Sequence, residues 1–520
     1  MNIAGKANFV LNIYCLHFLF SIDIIEGRVT LIEENVSTKL KKNLIYSIIA
    51  LLSIIVIGII LFDVYLFTVM RNKGLTKVIL YPAPSGIEGA TDVIITVEGS
   101  PVFVYDTAVN FGRRYLRNPK LEKTPMAYFD FSGTVNVKIK APGIDIDSVT
   151  IRPISLGIVP VVKGDTISFK LDKPAQLTIE INNDIHRAVH LFANPLEENP
   201  PELGDPGVHY FGPGVHMAGS IKIKSNETVY IAGGAVVYGW IHCSSLENVK
   251  IIGRGIIDGS IYDRWNDMIV PINLFKCKNI VLDGISILNP AAWTLNTYLC
   301  ENIKINNIKI ISARPNSDGI TTQSCKDLTA TDCFVRSWDD SLVVKGYDRD
   351  VKGITFDNII IWTDLAQSCE IGYETRAETI EDIYFKNITI LHNFHKPVLS
   401  IHNSDNALVK NVHYENIVVE DAQMGEGDGA NFLIDLLIDS SQWSQSSERG
   451  NIRDIFFNNI KVLSGRFFPV SRLKGFDENH TIENIYINNL EIFGEVILSP
   501  EEGEFSIDEY NVKNVEFSNK

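Results

Sequence analysis

From about Thr228 onward the chain repeats one phrase of eight residues. Leu246-Glu-Asn-Val-Lys-Ile-Ile-Gly, Cys277-Lys-Asn-Ile-Val-Leu-Asp-Gly and Cys300-Glu-Asn-Ile-Lys-Ile-Asn-Asn carry it. So do Ile380-Glu-Asp-Ile-Tyr-Phe-Lys-Asn, Val409-Lys-Asn-Val-His-Tyr-Glu-Asn, Ile452-Arg-Asp-Ile-Phe-Phe-Asn-Asn and Ile482-Glu-Asn-Ile-Tyr-Ile-Asn-Asn. Fainter copies begin at Cys325, Val351 and Val512, and the intervals are mostly 23–31 residues, with a longer one from 409 to 452. A unit this short cannot bury its own apolar face, so neighbouring units must stack to form a common core. Short β-runs with Asn or Asp at fixed turns predict an all-β domain, a right-handed parallel β-helix over residues 187–520 in which stacked strands bury one face. The first position of each repeat is apolar, which predicts an inward stack. Cys277, Cys300 and Cys325 then act as small hydrophobes. The turn asparagines are expected to bond to backbone, because Asn tolerates left-handed conformations.

Ahead of the repeats, runs such as 92–98 (Asp-Val-Ile-Ile-Thr-Val-Glu), 135–140 (Val-Asn-Val-Lys-Ile-Lys) and 177–181 (Leu-Thr-Ile-Glu-Ile) alternate apolar and polar residues. Period two with Gly, Pro and Asp between the runs is the mark of half-buried antiparallel strands. A β-sandwich is expected over 75–186, either as a carbohydrate-facing module or as a structural cover for the next domain. Residues 43–62 are uncharged and mostly Ile and Leu, a length that matches the hydrocarbon thickness of a bilayer. They predict a single-pass signal anchor at 43–70, with the catalytic unit outside the cell at the membrane. Lysines precede the run and basic residues also follow it, so charge sets no orientation. Residues 1–42 are either a second hydrophobic segment or an upstream extension.

The formal net charge is −16, which excludes the basic footprint of a nucleic-acid partner. None of the seven cysteines forms a CxxC pair, so a zinc ribbon or redox motif is not expected. His392 and His395 lack further ligands at metal-binding spacing, and neither metal nor cofactor is expected.

Asp318 and Asp340 lie about one repeat apart, and Asp339 adjoins the second. Neighbouring rungs are about 5 Å apart, so the two can project from one face. Crowded carboxylates resist full ionisation, and one retains a proton. An acid and a base on one surface is what glycosidic cleavage requires. The competing reading makes Asp318-Gly319 and Asp339-Asp340 ordinary turn residues.

Asn316-Ser317-Asp318-Gly319 followed by Asp339-Asp340 resembles the Asn-x-Asp and Asp-Asp signatures of polygalacturonase-type β-helix glycosidases, glycoside hydrolase family 28. The related family 49 of dextranases and isopullulanases shares the three acids and is similar in placing a β-sandwich first. The resemblance covers roughly residues 190–520. It implies inverting hydrolysis, with Asp339 as general acid and Asp318 and Asp340 activating water. The family's Gly-His-Gly histidine falls on Gln367, and its substrate-holding Arg-Ile-Lys falls on Ser400-Ile401-His402. Losing both cations removes a charge-assisted grip on a uronate. The expected substrate is therefore a neutral poly- or oligosaccharide of dextran or pullulan type. A pectin hydrolase, a lyase or epimerase, and a non-catalytic glycan-binding β-helix are the alternatives. Sugar-binding candidates are Asn316, Trp338, Lys345, Gln367, Glu370, Tyr373, Glu374 and His402, since aromatic faces stack on sugars and polar groups read hydroxyls.

Overall fold

A computed structural model describes residues 76–519 apart from 113 and 424–431, together with Ile22–Ile25, Arg28–Leu31 and positions 51, 55, 58 and 59. The chain divides into Met1–Gly74 and Leu75–Lys520. In the first unit, Ile22–Ile25 and Arg28–Leu31 form a small antiparallel pair. The anchor expected at 43–70 lies outside the described residues except at four helical positions. Among the described residues no helix is long and apolar enough to cross a membrane.

The second unit begins with two sheets. One orders Val161–Lys163, Thr166–Leu171, Val135–Lys140, Ile94–Val97 and Ser100–Val102. The other orders Lys77–Ile79, Glu122–Ser132, Asp184–Pro195, Ala175–Ile181 and Val149–Arg152, with Tyr105–Val109 paired to Glu122–Ser132. Val135–Lys140 alternates buried and exposed as its sequence predicts. The pairing is antiparallel except between Asp184–Pro195 and Glu122–Ser132, which run parallel. Asp184–Pro195 also continues past residue 186. Its distal half lacks an exposed face because both faces are covered. Val189, Leu191 and Ala193 enter the sandwich core, while Ala188 and Phe192 pack against the following domain.

That domain is a parallel β-helix of three-strand rungs. Typical rungs are Leu295–Tyr298, Glu301–Asn306, Lys309–Ile311 and then Ile320–Gln323, Lys326–Thr331, Phe334–Ser337. Val351, Ile380, Val409, Ile452, Ile482 and Val512 stand in register one above another. Cys277, Cys300 and Cys325 occupy the same buried column as free thiols. The turn asparagines do adopt the left-handed region, as at Asn248, Asn279 and Asn302. Their side chains, however, bond to one another rather than to backbone. Asn302 donates to Asn279 at 2.7 Å and Asn279 to Asn248 at 3.1 Å. An amide that carries both donor and acceptor can extend such a ladder indefinitely.

The sandwich covers one flank of the β-helix. Tyr105, Val109, Met126, Tyr128 and Phe192 pack on Val236, Ile256, Leu288, Ile311, Phe334 and Trp362. Strands Lys309–Ile311 and Phe334–Ser337 of that flank lead directly into the turns that carry the three acids. The site thus sits at a corner of the β-helix beside the sandwich edge.

Candidate active site

Ile320 pairs with Leu342, and Leu342 with Cys369. Two residues earlier, the same register aligns Asp318, Asp340 and Gln367 on three successive turns. The Gly319 amide donates to the Asp340 carbonyl at 2.8 Å, and the Ser341 amide to the Gln367 carbonyl at 2.9 Å. A Cβ at Gly319 would lie 2.4 Å from the Ser341 carbonyl oxygen, so only glycine permits this approach. The turn itself closes at 314–317, where the Ser317 amide donates to the Arg314 carbonyl at 3.1 Å, and the Asp-Gly pair that follows brings two acids into register.

Asp339 stands beside this column. Its carboxylate accepts the amides of Asn316 and Asp340, each at 3.2 Å. Asp340 accepts the Gln367 amide at 3.0 Å. Asp318 is buried, and the other two acids are half-buried. Burial raises all three carboxyls above their ordinary range. For Asp318 and Asp340 the facing charges raise them further, while the backbone amides, Lys345 and Arg264 hold Asp339 back. Three such groups titrate as one cluster that keeps a proton where isolated carboxyls have lost theirs.

Lys345 lies against this cluster. Its ammonium is bound to Glu374 at 2.7 Å, and Glu374, Asp318 and Asp340 keep it protonated despite burial. Trp293, on the turn before Asp318, is half-buried with its ring centre 5.6 Å from the Lys345 nitrogen. Glu370 is fully buried one strand away, where it accepts from the Ser400 hydroxyl and meets His402 Nδ1 at 2.8 Å. His402 Nε2 reaches Asp435 at 3.1 Å, and Arg472 closes the chain on Asp435 at 2.8 Å. Tyr373 stacks on His402 with ring centres 4.4 Å apart.

This geometry changes several expectations. Trp338 is fully buried beneath the Asp pair, 5.8 Å from the Tyr115 ring, so it supports the turn and offers no face to a sugar. Glu370 and His402 are likewise enclosed by their partners. Gln367 contributes its backbone, and its side chain is buried. The loss of cations is incomplete. Although burial opposes it, Glu370 and Asp435 push His402 up to about 10, so it is charged at neutral pH. Asn316, Lys345, Tyr373 and Glu374 remain around the acids. Sequence reasoning missed Arg264, whose Nη2 donates to Asn316 Oδ1 at 2.7 Å from a turn near Asp258. The only signal was the long gap between strands at 259–271. His392 pairs with Glu180 at 2.6 Å and Asp421 at 2.8 Å, at the rim of a cavity of about 400 Å³ between sandwich and β-helix.

The His402 network has a pH signature. Its folded pKa is raised, so its stabilising contribution is complete below about pH 6.5 and disappears as pH climbs through about 10. His402→Gln leaves two buried carboxylates without their imidazolium and is expected to cost about 3 kcal/mol near pH 6. Urea unfolding of both proteins at pH 6 and above pH 10 measures this. An equal gap at both pH values contradicts it.

Comparison with known proteins extends the geometry. The model of Glycosyl hydrolases family 28 matches residues 210–494. An exopolygalacturonase of Arabidopsis thaliana is 22% identical over 275 residues, covering 48% of this chain and 62% of its own length. A probable exopolygalacturonase B of Neosartorya fischeri is 26% identical over 252 residues, with coverages of 41% and 52%. The chain thus spans less than two thirds of these curated relatives. Among solved structures, Dex49A from Penicillium minioluteum aligns with a TM-score of 0.60 at 16% identity, covering 84% of this chain and 96% of that one. At that identity the likeness is one of fold.

Proposed function

The chain belongs to the glycosyl hydrolases family 28, and from that membership we propose that it hydrolyses O-glycosidic bonds of a carbohydrate with inversion at the anomeric carbon. One observation carries the reading: Asp318 and Asp340 share a register on adjacent rungs, with Asp339 beside them. In this proposal Asp339 gives its proton to the departing glycosidic oxygen. Asp318 and Asp340 take a proton from water as its oxygen bonds to the anomeric carbon. In the free protein the cluster's proton lies with Asp318 and Asp340, whose carboxyls are raised furthest; in this proposal a seated substrate excludes water from all three acids and the proton passes to Asp339, the carboxyl that faces the leaving oxygen. Asn316, Lys345, Tyr373 and Glu374 bind sugar hydroxyls, and Trp293 supplies a ring face.

The reacting sugar is uncharged, as in α-glucans of dextran or pullulan type. Lys345 is held by Glu374, and His402 lies between Glu370 and Asp435. His402 has both ring nitrogens engaged, the Lys345 charge is matched by Glu374, and the surrounding carboxylates repel a uronate. The same proposal keeps residues 43–70 as a signal anchor with the catalytic unit outside the cell.

Anomeric proton NMR of fresh reactions, run on isomalto-, malto- and galacturono-oligosaccharides, tests the reading. The first-formed product is expected with inverted configuration. Net retention contradicts the two-base mechanism, and turnover confined to galacturonate contradicts the uncharged reacting sugar.

A further inference from the structure

Two arginines cross between the turn at 259–267 and the turn that leads into Asp318. Arg314 reaches out of the acid turn and donates to the carbonyls of Ser260 at 3.0 Å and Tyr262 at 2.6 Å. Arg264 reaches back, donating through Nε to the Pro315 carbonyl and through Nη2 to Asn316 Oδ1 at 2.7 Å. The 259–267 turn is closed by its own acids. Asp267 accepts the Asp263 amide at 2.7 Å, and Asp263 accepts the amides of Trp265 and Asn266 at 2.9 and 2.8 Å.

Behind Arg264 stands the sandwich. Arg264 and Arg117 both stack on the Trp265 ring, each 4.5 Å from its centre. Trp265 Nε1 donates to the Arg117 carbonyl at 3.0 Å and to Asn118 Oδ1 at 3.2 Å, which ties the sandwich loop to this turn. In front of Arg264 lies Asp339. Asn316, whose side chain Arg264 holds, gives its own backbone amide to the Asp339 carboxylate at 3.2 Å. A chain of contacts therefore runs from the sandwich loop through Trp265, Arg264 and Asn316 to Asp339. The Arg264 charge also faces Asp339 and Asp318, and its Nη1 is buried without an acceptor.

We propose that Arg264 is a positioning residue for Asp339, and that the sandwich loop acts through Trp265 to hold its guanidinium in place. The rigid planar fork grips the Pro315 carbonyl and the Asn316 side chain together, which fixes where the Asn316 amide meets Asp339. Asp339 then keeps one direction toward the leaving oxygen, and a displacement of about 1 Å at such a group costs about a hundredfold in rate. The Arg264 charge has a second effect, since a neighbouring cation favours an ionised carboxyl. Lys345 pulls Asp339 the same way, Asp318 and Asp340 face the same carboxyl, and Tyr115 faces Arg264 from the sandwich loop. The sandwich thus does more than cover a flank, because it helps to place the acid. This inference rests on the hydrolase reading for its place in the reaction, and on the crossed arginines alone for the coupling of Arg264 to Asp339.

Full-length Arg264→Gln, Arg264→Lys and Trp265→Leu proteins are compared with the unsubstituted protein on isomalto-, malto- and galacturono-oligosaccharides. Arg264→Gln is expected to lower kcat roughly tenfold to a hundredfold with KM nearly unchanged, as for an interaction made in the transition state. The alkaline limb of its kcat–pH profile should move to higher pH, because losing a cation raises the carboxyl that must hold the proton. Arg264→Lys keeps the charge without the fork, so the limb should return while kcat recovers in part. Trp265→Leu should lower kcat severalfold, and it carries the test if Arg264→Gln does not fold. A limb that stays in place, or a loss carried by KM alone, overturns the proposal. Urea unfolding of Arg264→Gln, Asp339→Asn and the double variant needs no turnover. The two substitutions are expected to be non-additive at pH 8 and closer to additive at pH 4, where the raised Asp339 carboxyl is protonated in every protein that carries it. Non-additivity without turnover of any probe by the unsubstituted protein overturns the hydrolase reading and leaves the coupling, whereas turnover with additivity at both pH values overturns the coupling alone.

Discussion

Asp339→Asn is expected to lower turnover by roughly a hundredfold to ten-thousandfold, the usual worth of a positioned general acid. The folded protein should become more stable. The three carboxyls are buried together and their folded pKa values are raised. A raised carboxyl means that the folded state holds its proton more tightly than the unfolded chain. Below the unfolded value, about 3.9, both states are protonated and the cluster carries no penalty. As pH rises through the raised values, ionising the cluster costs stability. Replacing one member with a neutral amide removes part of that cost, on the order of 1 kcal/mol per pKa unit at neutral pH. The gain should be larger for Asp318→Asn and Asp340→Asn, because facing charges raise each further, Asp339 and Asp340 for Asp318 and Asp339 and Glu370 for Asp340. Activity and urea unfolding at pH 4 and pH 7, measured on the same preparations, check both halves. A variant that keeps a tenth or more of the activity sinks the acid assignment. A stability gain that is equal at both pH values sinks the electrostatic account.

The second large effect concerns the joint between the two domains. Arg336 is fully buried. Its Nε and Nη2 donate to Asp364 at 3.2 and 3.3 Å, and its Nη1 reaches His190 Nε2 at 2.9 Å. Its guanidinium lies 4.0 Å from the Trp362 ring centre. His190 belongs to the sandwich strand Asp184–Pro195. Burial and the Arg336 charge keep it neutral, so Nε2 accepts while Nδ1 donates to Thr178 Oγ1 at 2.9 Å. Arg336→Ala strands the Asp364 carboxylate in the interior and empties the space over Trp362. The expected loss is about 3–5 kcal/mol, the usual cost of breaking a buried ion pair from one side. Hydrogen exchange should rise first along Asp184–Pro195. The double variant Arg336→Met with Asp364→Asn should recover much of the loss, because no unpaired charge remains. Equal losses in the single and double variants would show that packing, not charge, dominates.

The repeat phrase was sufficient to predict the β-helix because every rung faces the same problem. An apolar residue at each first position must meet another, and a left-handed turn must follow at a fixed distance. Both are local demands, and Asn, Cys, Ile and Val satisfy them visibly. The acid column was legible for the same reason, since residue spacing becomes a distance once the rung length is known. The alternation at 135–140 identified sandwich strands while their outer faces stayed wet. It failed along Asp184–Pro195, where the β-helix covers the second face and buries His190 and Asn194 there together with Ala188 and Phe192.

Side-chain surroundings were less legible. Trp338 next to an acid pair reads as a sugar platform, yet whether its ring is buried depends on the Tyr115 loop, over two hundred residues earlier in the chain. His402 reads as a lost lysine, yet Asp435 and Glu370 make it a cation. Arg264 carries no motif at all. It reaches the acids because its turn folds across the 315–316 backbone, and no spacing rule records that. The sequence alone determined the stacked architecture and the register of Asp318 with Asp340, because both follow from a period. Only the tertiary structure decided which groups are buried, paired or left open around them. Burial and pairing are set by contacts between segments far apart in the chain, whose encounter no local pattern encodes.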